Sequence, residues 1–189
     1  MPSGKHANDV LLVINGAPAV GKSTLAHRYA DEHPLALVID IDLIRTQLGR
    51  WAAAEASKLA ARDLAAAMAH AHLLAGHDVI VAQYFGRPEF VERLRQIAVE
   101  TAAEFVEVIL TDDGAEIAAR FRRRRTAYAE AGFEHPESEI RDHAIAAEVL
   151  EANTLLVRDA NARGVPVIEA GRGPGSAYEM LLHALATRS

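Results

Sequence analysis

The sequence predicts one α/β domain in which helices cover both faces of a mostly parallel sheet. Short apolar runs alternate with helical patterns along the chain, an order typical of strands joined by right-handed helical crossovers. The chain has 189 residues, enough for one well-buried core and too few for a second catalytic domain. A glycine-rich loop at residues 16–24 joins the first apolar run to the first helical pattern. We therefore expect residues 1–189 to form a single three-layer α/β/α domain.

The segment from residue 10 to residue 26 predicts a strand, a phosphate-binding loop and the start of a helix. The loop has the pattern G-x-x-x-x-G-K-S/T, in which backbone N–H groups surround a nucleotide phosphate and glycines leave room for its approach. Lys22 is placed to reach the β- and γ-phosphates, and Ser23 offers its hydroxyl to Mg²⁺. The positive end of the following helix faces the anion. The predicted nucleotide-binding residues are Gly16, Ala17, Pro18, Ala19, Val20, Gly21, Lys22, Ser23 and Thr24.

Four further apolar runs predict the remaining strands, because continuous apolar runs of this length are typical of strands buried in a parallel sheet. They cover residues 35–39, 79–82, 105–110 and 165–168. Polar residues follow the runs directly. In an open α/β sheet the carboxyl ends of the strands form the edge where ligands bind. We therefore expect the side chains of residues 40–42 and 83–87 to face the functional site.

Helical patterns fill the intervals between the predicted strands. They cover residues 22–32, 43–50, 51–75, 88–101, a segment from a cap at 111–113 towards 125, and residues 137–163 and 176–186. Proline disfavours helical geometry in the preceding residue, which ends the first helix at His33, and Gly76 closes the alanine-rich helix. We expect the helices at about 43–76 to line the substrate side and residues 120–136 to form a lid. Residues 171–175 predict a tight loop, either a plain turn or a contact for the adenine base.

Two carboxylates and an arginine follow the second strand. Asp40 and Asp42 are two residues apart, so both would lean towards the phosphate loop if the strand continued that far. The carboxylate nearer Ser23 would hold water on Mg²⁺, and the other would accept the proton of an attacking hydroxyl. Arg45, one turn further on, would steady a substrate anion. The structural alternative is that Asp42 caps a helix and Arg45 is its surface partner.

An arginine-rich segment predicts a second cationic group at the site. Arg120 and Arg124 are four residues apart on a predicted helix and therefore share one face. Like charges at this spacing repel, so we expect the γ-phosphate region of a nucleotide to compensate them under a closing lid. The arginines at 122, 123 and 125 are expected to form an ordinary solvated basic surface.

The candidate site also includes two residues, Gln83 and Arg87, that follow the third predicted strand. Arg87 would hold a substrate group, or else it lies on the surface as a cap. Gln83 stands where many phosphate-loop enzymes have a second aspartate linked to magnesium. Because an amide carries no charge, the metal-side role is left to Asp40.

Composition argues against several classes of function. The formal net charge is −6, so no positive field attracts nucleic acid. The chain has no cysteine, which excludes disulfides and thiolate metal sites. No apolar run reaches the roughly 20 residues that span a bilayer, and residues 1–9 lack the apolar core of a signal peptide. We expect a soluble, cytoplasmic protein that binds neither nucleic acid nor membranes.

Three of these motifs together resemble a known family. The loop GAPAVGKST, the segment VIDIDLIR with its D-x-x-R pattern, and the arginine helix are similar to the small phosphate-loop kinases of the zeta-toxin, chloramphenicol phosphotransferase and polynucleotide-kinase type. The resemblance implies a P-loop NTPase fold with five parallel strands in the order 2-3-1-4-5, a small helical lid, ATP and Mg²⁺. It also implies roles for a base (Asp42), a metal-side carboxylate (Asp40), the nucleotide grip (Lys22, Ser23) and the lid (Arg120, Arg124).

The leading functional hypothesis is transfer of the γ-phosphoryl of ATP to a hydroxyl of a small molecule, such as an antibiotic, a sugar or a nucleoside-like compound. A base-like Asp42 is useful only if a proton leaves the acceptor. One alternative is a 5′-hydroxyl polynucleotide kinase, which the D-x-x-R pattern favours and the net charge of −6 opposes. The other is a nucleotide-gated switch or ATPase without an acceptor. Such a protein would lack a substrate pocket lined by Asp42, Arg45 and Arg87.

Overall fold

A computed structural model of the protein describes residues 9–133 and 145–187. Its strands are β1 (Val10–Gly16), β2 (Leu37–Ile39), β3 (Val79–Gln83), β4 (Glu104–Thr111) and β5 (Val167–Glu169). They form one sheet in the order β2-β3-β1-β4-β5, and every pair of neighbours is parallel. The predicted fold class and strand order are therefore confirmed.

Seven α-helices belong to the described residues. They are α1 (Lys22–Glu32), α2 (Ile41–Thr46), α3 (Ser57–Leu74), α4 (Glu89–Thr101), α5 (Gly114–Glu130), α6 (Ile145–Arg163) and α7 (Pro174–Ala186), with short 3-10 helices at Trp51–Ala53 and Ala170–Arg172. The bounds of α1 agree with the prediction. None of these helices is long and apolar enough to cross a bilayer.

The central strand β1 is buried on both faces, which accounts for its continuous apolar run. Leu12 and Ile14 pack on one side with α1, α5 and α7, whereas Leu11 and Val13 pack on the other side with α3 and α4. The helix α6 covers Ile109 of β4 on a third, smaller cluster. In the register of the sheet, Asn15 at the end of β1 lies beside Gln83 of β3. The carboxyl ends of these two strands therefore meet at one edge.

The predicted elements between residues 35 and 75 need correction. The strand begins at Leu37, because Leu35 has a left-handed φ of 68°. The helix predicted at 43–50 is α2, which starts earlier because the Asp40 carboxylate accepts the Leu43 N–H at 3.0 Å and caps it. The predicted helix at 51–75 is divided. The carbonyl of Trp51 accepts the Ser57 hydroxyl at 2.9 Å and the Ala54 N–H, which ends the 3-10 turn before α3 begins.

Smaller differences occur towards the carboxyl end. The helix α5 runs five residues past the predicted end at 125, to Glu130, and is followed by Gly132 with a φ of 64°. The last strand lies at Val167–Glu169, and the segment predicted as a tight loop at 171–175 is split between a 3-10 turn and the start of α7. The end of the predicted lid and the predicted helix start at residue 137 lie outside the described residues.

Candidate active site

The phosphate loop connects the buried end of β1 to the first turn of α1. Gly21 caps α1 with a φ of 112°, a backbone conformation that favours glycine. Gly16 is required for a different reason. A Cβ at this position would lie 2.5 Å from the carbonyl oxygen of Leu110 in β4 and 2.9 Å from Cγ1 of Val20. The first glycine thus lets the loop pass the neighbouring strand, in addition to leaving room for a phosphate.

The phosphate loop carries one cationic side chain, that of Lys22. The Lys22 ammonium donates hydrogen bonds to the carbonyls of Gly16 and Ala17, each at 2.9 Å, and so lies folded across the loop. Ser23 and Thr24 are exposed in the first turn of α1, which contains no acidic residue. The positive end of this helix is therefore not compensated by a carboxylate of its own first turn.

A cavity of about 350 Å³ brings the phosphate loop together with the arginine helix. Arg120 and Arg124 of α5 line it together with Lys22, Ser23 and Thr24. The guanidinium of Arg120 also pairs with the carboxylate of Asp112, and its buried Nε has no hydrogen-bond partner within residues 9–133 and 145–187. Two alanines near the start of α7, Ala170 and Ala177, also line the cavity.

The structure places Asp42 in contact with Gln83. The Gln83 amide, at the carboxyl end of β3, donates to Oδ2 of Asp42 at 2.9 Å. Since Gln83 lies beside Asn15 in the sheet, this carboxylate is held at the edge where the phosphate loop begins. Gln83 is thus a positioning partner of a carboxylate, whereas its sequence position indicated only a missing metal ligand.

The expectation that Asp40 and Asp42 share one face of a strand is wrong. The strand ends at Ile39, and the two carboxylates are the cap and a first-turn residue of α2. The alternation of side chains along a strand therefore does not apply, and the two carboxylates have different partners, the Leu43 N–H for Asp40 and the Gln83 amide for Asp42. The alternative that Asp42 is the cap is also wrong, because Asp40 caps α2.

Arg45 occupies an interior position. Its residue is only 5% exposed, its Nε donates to the Ser57 hydroxyl at 3.0 Å, and its guanidinium lies 4.8 Å from the centroid of the Trp51 ring. These contacts join α2 to the 3-10 turn and to α3. The alternative that Arg45 lies on the surface as the partner of Asp42 is therefore wrong. The predicted contact with a substrate anion would require an exposed guanidinium, and this residue is buried.

Sequence reasoning missed the role of Asn15. This residue is 2% exposed, and its Oδ1 accepts the N–H groups of Gly16 at 2.8 Å and Phe85 at 2.9 Å. Its amide nitrogen donates to the carbonyl of Phe85 at 3.1 Å. The side chain thereby ties the start of the phosphate loop to the connection after β3, where Arg87 is exposed. A polar residue that ends an otherwise apolar strand is the signal that could have identified it.

Comparisons with known proteins agree with this architecture. The family described as AAA domain matches residues 11–150. Three solved structures illustrate the shared fold, although none exceeds 16% identity. A gluconokinase from Sinorhizobium meliloti has a TM-score of 0.58 at 16% identity, covering 96% of this chain and 94% of its own. The APS kinase of Mycobacterium tuberculosis has a TM-score of 0.53 at 16% identity, and the match covers 95% of this chain and 99% of the APS kinase chain.

The third structure comes from the PezAT chromosomal toxin–antitoxin system of Streptococcus pneumoniae, with a TM-score of 0.65 at 11% identity over 91% of this chain and 72% of its own. No curated protein matches the chain by sequence. The expected resemblance to small phosphate-loop kinases is confirmed by the family and the fold.

Proposed function

We propose that this chain, which belongs to the AAA domain family, transfers the γ-phosphoryl group of ATP to a hydroxyl group of a small molecule. One observation carries the proposal. The Gln83 amide holds the Asp42 carboxylate at the sheet edge beside the phosphate loop, on the side opposite the arginine helix. An alcohol acceptor must lose a proton during transfer, and a carboxylate held at this edge can accept it.

The nucleotide would occupy the cavity of about 350 Å³. Its β- and γ-phosphates fit the loop at residues 16–24, where Lys22 and the start of α1 supply positive charge. The base would extend towards Ala170 and Ala177, the apolar end of the same cavity. Arg124, from α5, would contribute positive charge over the phosphates.

The residues beside the loop also suit Mg²⁺. This ion keeps several waters and uses phosphate oxygens, so it needs only one or two oxygen ligands from the protein. Ser23 presents an exposed hydroxyl, and Asp40 uses Oδ1 for the cap of α2, which leaves Oδ2 to hold a water of the ion. When bound, the ion neutralises charge on the phosphates.

The chemistry then divides between Asp42 and the cations. Gln83 occupies Oδ2 of Asp42, so Oδ1 accepts the proton of the acceptor hydroxyl. The acceptor oxygen forms a bond to the γ-phosphorus, the bond from that phosphorus to the β,γ-bridging oxygen breaks, and ADP leaves. Lys22 and Arg124 stabilise the charge on the transferred group.

The carboxylates provide the test. The change Asp42→Asn keeps the shape of the side chain and removes its basicity, so transfer should fall by roughly 10²–10⁴-fold while ATP affinity stays the same. The matched change Asp40→Asn should act mainly by raising the Mg²⁺ concentration that the reaction requires. Both variants are compared for product formation and nucleotide affinity over a Mg²⁺ series. Full transfer by Asp42→Asn, or its rescue by extra Mg²⁺, would show that the roles are assigned wrongly.

The acceptor is found by mass spectrometry with ATP, Mg²⁺ and pooled sugars, nucleosides, antibiotics and 5′-hydroxyl oligonucleotides. A phosphorylated small molecule is the expected product. Phosphorylation of the oligonucleotides alone would replace the proposal by a polynucleotide kinase. Hydrolysis of ATP with no phosphorylated product would replace it by a nucleotide switch.

A further inference from the structure

A second cavity, of about 290 Å³, lies between α4 and α6 and is separate from the nucleotide cavity. Its apolar wall includes Val91 of α4 and Leu155 and Leu156 of α6. Charged and polar side chains line the remainder, among them Tyr84 and Arg87 from the connection after β3. The cavity therefore combines an apolar surface with charged groups, as small-molecule sites do.

Most of the charge in this cavity is already compensated. Glu107 of β4 is only 1% exposed, and both of its oxygens accept from Arg163, at 2.9 and 3.0 Å. Arg163 also bonds Asp159 at 3.0 Å, and Arg95 approaches Glu107 at 3.7 Å. The hydrogen bonds that Arg163 donates to Glu107 raise the pKa of Arg163, so this guanidinium stays charged. These four residues form one ion-pair network, and Arg95 also pairs with Glu92 at 3.5 Å.

Two further guanidinium groups line the cavity without such compensation. Arg87 lies just before α4 and Arg158 on α6, and neither has a hydrogen bond or ion pair within the described part of the chain. They are the two charged side chains of the cavity lining that lie outside the Glu107 network. Both residues are exposed, and guanidinium groups bind carboxylate and phosphate oxygens through paired hydrogen bonds.

Tyr84 adds a hydrogen-bond donor at the same place. Its ring lies over Gly86, where an added Cβ would be 2.7 Å from the tyrosine hydroxyl. Burial, and then the charge of Glu151, raise the pKa of Tyr84, so its hydroxyl stays protonated. The absence of a side chain at residue 86 thus lets this phenol occupy the cavity wall.

A short segment connects this cavity to the proposed base. Gln83, which holds Asp42, is four residues before Arg87, so their Cα atoms are at most about 15 Å apart. Between them, Phe85 is fixed to Asn15 through its N–H and its carbonyl. The cavity and the proposed base thus lie at the two ends of one short connection, and an acceptor that contacts both must extend along it.

We infer that the acceptor carries an anionic group, a carboxylate or a phosphate, which Arg87 and Arg158 bind in the cavity between α4 and α6 while its hydroxyl lies at Asp42. The inference rests on the proposed phosphotransferase function and adds the chemical class of its substrate. Arg158 is a binding residue that no sequence motif indicates. Neutral hydroxyl compounds of similar size should bind to this cavity more weakly than anionic ones.

Charge-matched pairs of compounds test this inference on the intact chain. Gluconate is compared with sorbitol, and glycerate with glycerol, because each pair differs by one carboxylate on the same hydroxylated skeleton. Glycerol 3-phosphate is included to separate phosphate from carboxylate. Binding is measured by isothermal titration calorimetry, and transfer from ATP is measured by mass spectrometry. The anionic members should bind at least tenfold more tightly than their neutral partners.

The change Arg158→Gln should reduce that preference by roughly tenfold, since a hydrogen bond to a charged group is lost. It should raise the KM of the acceptor more than it lowers kcat, because the contact is the same before and during transfer. Arg158→Lys should restore part of the affinity. The control is Arg93→Gln, which removes the same charge from α4 where Arg93 pairs with Asp63 outside the cavity.

Equal binding of the charged and neutral compounds, or a preference that survives Arg158→Gln, would overturn the inference. The two proposals fail separately. Transfer to neutral compounds without any preference for anions would leave the phosphotransferase function standing. Anion binding that depends on Arg158, with no transfer to any compound, would support the anion-binding site and contradict the proposed phosphotransferase function.

Discussion

The two cavities of this protein differ in how the chain builds them. The nucleotide cavity takes half of its lining from one continuous segment, residues 19–25, whose loop presents backbone N–H groups. The cavity between α4 and α6 draws on four separate parts of the chain, namely Asn15, residues 84–91, Glu107 and residues 152–163. A backbone site requires a fixed local sequence, whereas a side-chain site requires only that packing brings suitable groups together. The first is therefore recognisable from sequence, and the second is not.

The same difference predicts how substitutions act. A change in the phosphate loop weakens a step common to every acceptor, so all acceptors should be affected equally. A change in the cavity between α4 and α6 alters only the contacts with one acceptor, so it should change the ranking of acceptors.

The largest effect is expected from Lys22→Ala. This change removes the ammonium group that lies across the loop beside the carbonyls of Gly16 and Ala17. Transfer should fall by about 10³-fold, because a fixed charge at the developing phosphate charge is lost. ATP affinity should weaken as well, and the loss should be the same for every acceptor. Kinetics with two acceptors and direct ATP titration provide the measurement.

The control for this prediction is Lys58→Ala, which changes an exposed lysine of α3. That variant should keep its turnover and its ATP affinity. Unchanged affinity and turnover in Lys22→Ala would contradict the assignment of the loop as a nucleotide site.

Features that depend on local sequence could be predicted, whereas contacts between residues distant in sequence could not. The loop and α1 follow from local rules, since Gly21 supplies the left-handed φ and the following residues form a regular helix. The strand order followed from the family resemblance carried by three short motifs. The pairing of Asn15 with Phe85 could not be predicted, because the two residues are 70 positions apart and meet only through the sheet register.

The segment after β2 shows most clearly what could not be predicted from the sequence. The sequence predicts a functional carboxylate pair at residues 40 and 42, but the two-residue alternation of a strand was applied where a helix begins. A capping aspartate and a base-like aspartate have the same local pattern. Only the partner of each, the Leu43 N–H for Asp40 and the Gln83 amide for Asp42, distinguishes them.

An intermediate effect is expected from the arginine helix. Arg124 lines the nucleotide cavity, whereas Arg122 is exposed on another side of α5. The change Arg124→Ala should lower kcat by about 10²-fold and alter ATP affinity less, because the contact strengthens as charge develops during transfer. Arg120→Ala should have a smaller effect, since the Asp112 carboxylate already compensates that guanidinium.

Arg122→Ala is the matched control, because it removes the same group from the same helix. Its turnover should equal that of the unchanged protein. If Arg122→Ala lowers kcat as much as Arg124→Ala, the face of α5 that meets the nucleotide has been assigned wrongly.

The smallest effect on transfer is expected from Arg45→Ala, because this residue lines neither cavity. The change removes a buried guanidinium that bonds Ser57 and packs on Trp51, so it should lower the free energy of unfolding by about 2–3 kcal/mol. For a protein of this size the melting temperature should then fall by about 5–10 °C. Acceptor KM should stay the same at temperatures where the variant is folded.

Ser57→Ala separates the hydrogen bond from the rest of the Arg45 environment. It removes the acceptor of the Arg45 Nε–H and the donor to the Trp51 carbonyl, so we expect a loss of about 1 kcal/mol. Because the two residues are in contact, the double variant should lose less stability than the two single losses added together. Thermal melts of the four proteins measure this coupling. An Arg45→Ala protein that keeps its melting temperature but binds the acceptor more weakly would assign Arg45 to the substrate, as the D-x-x-R pattern alone predicts.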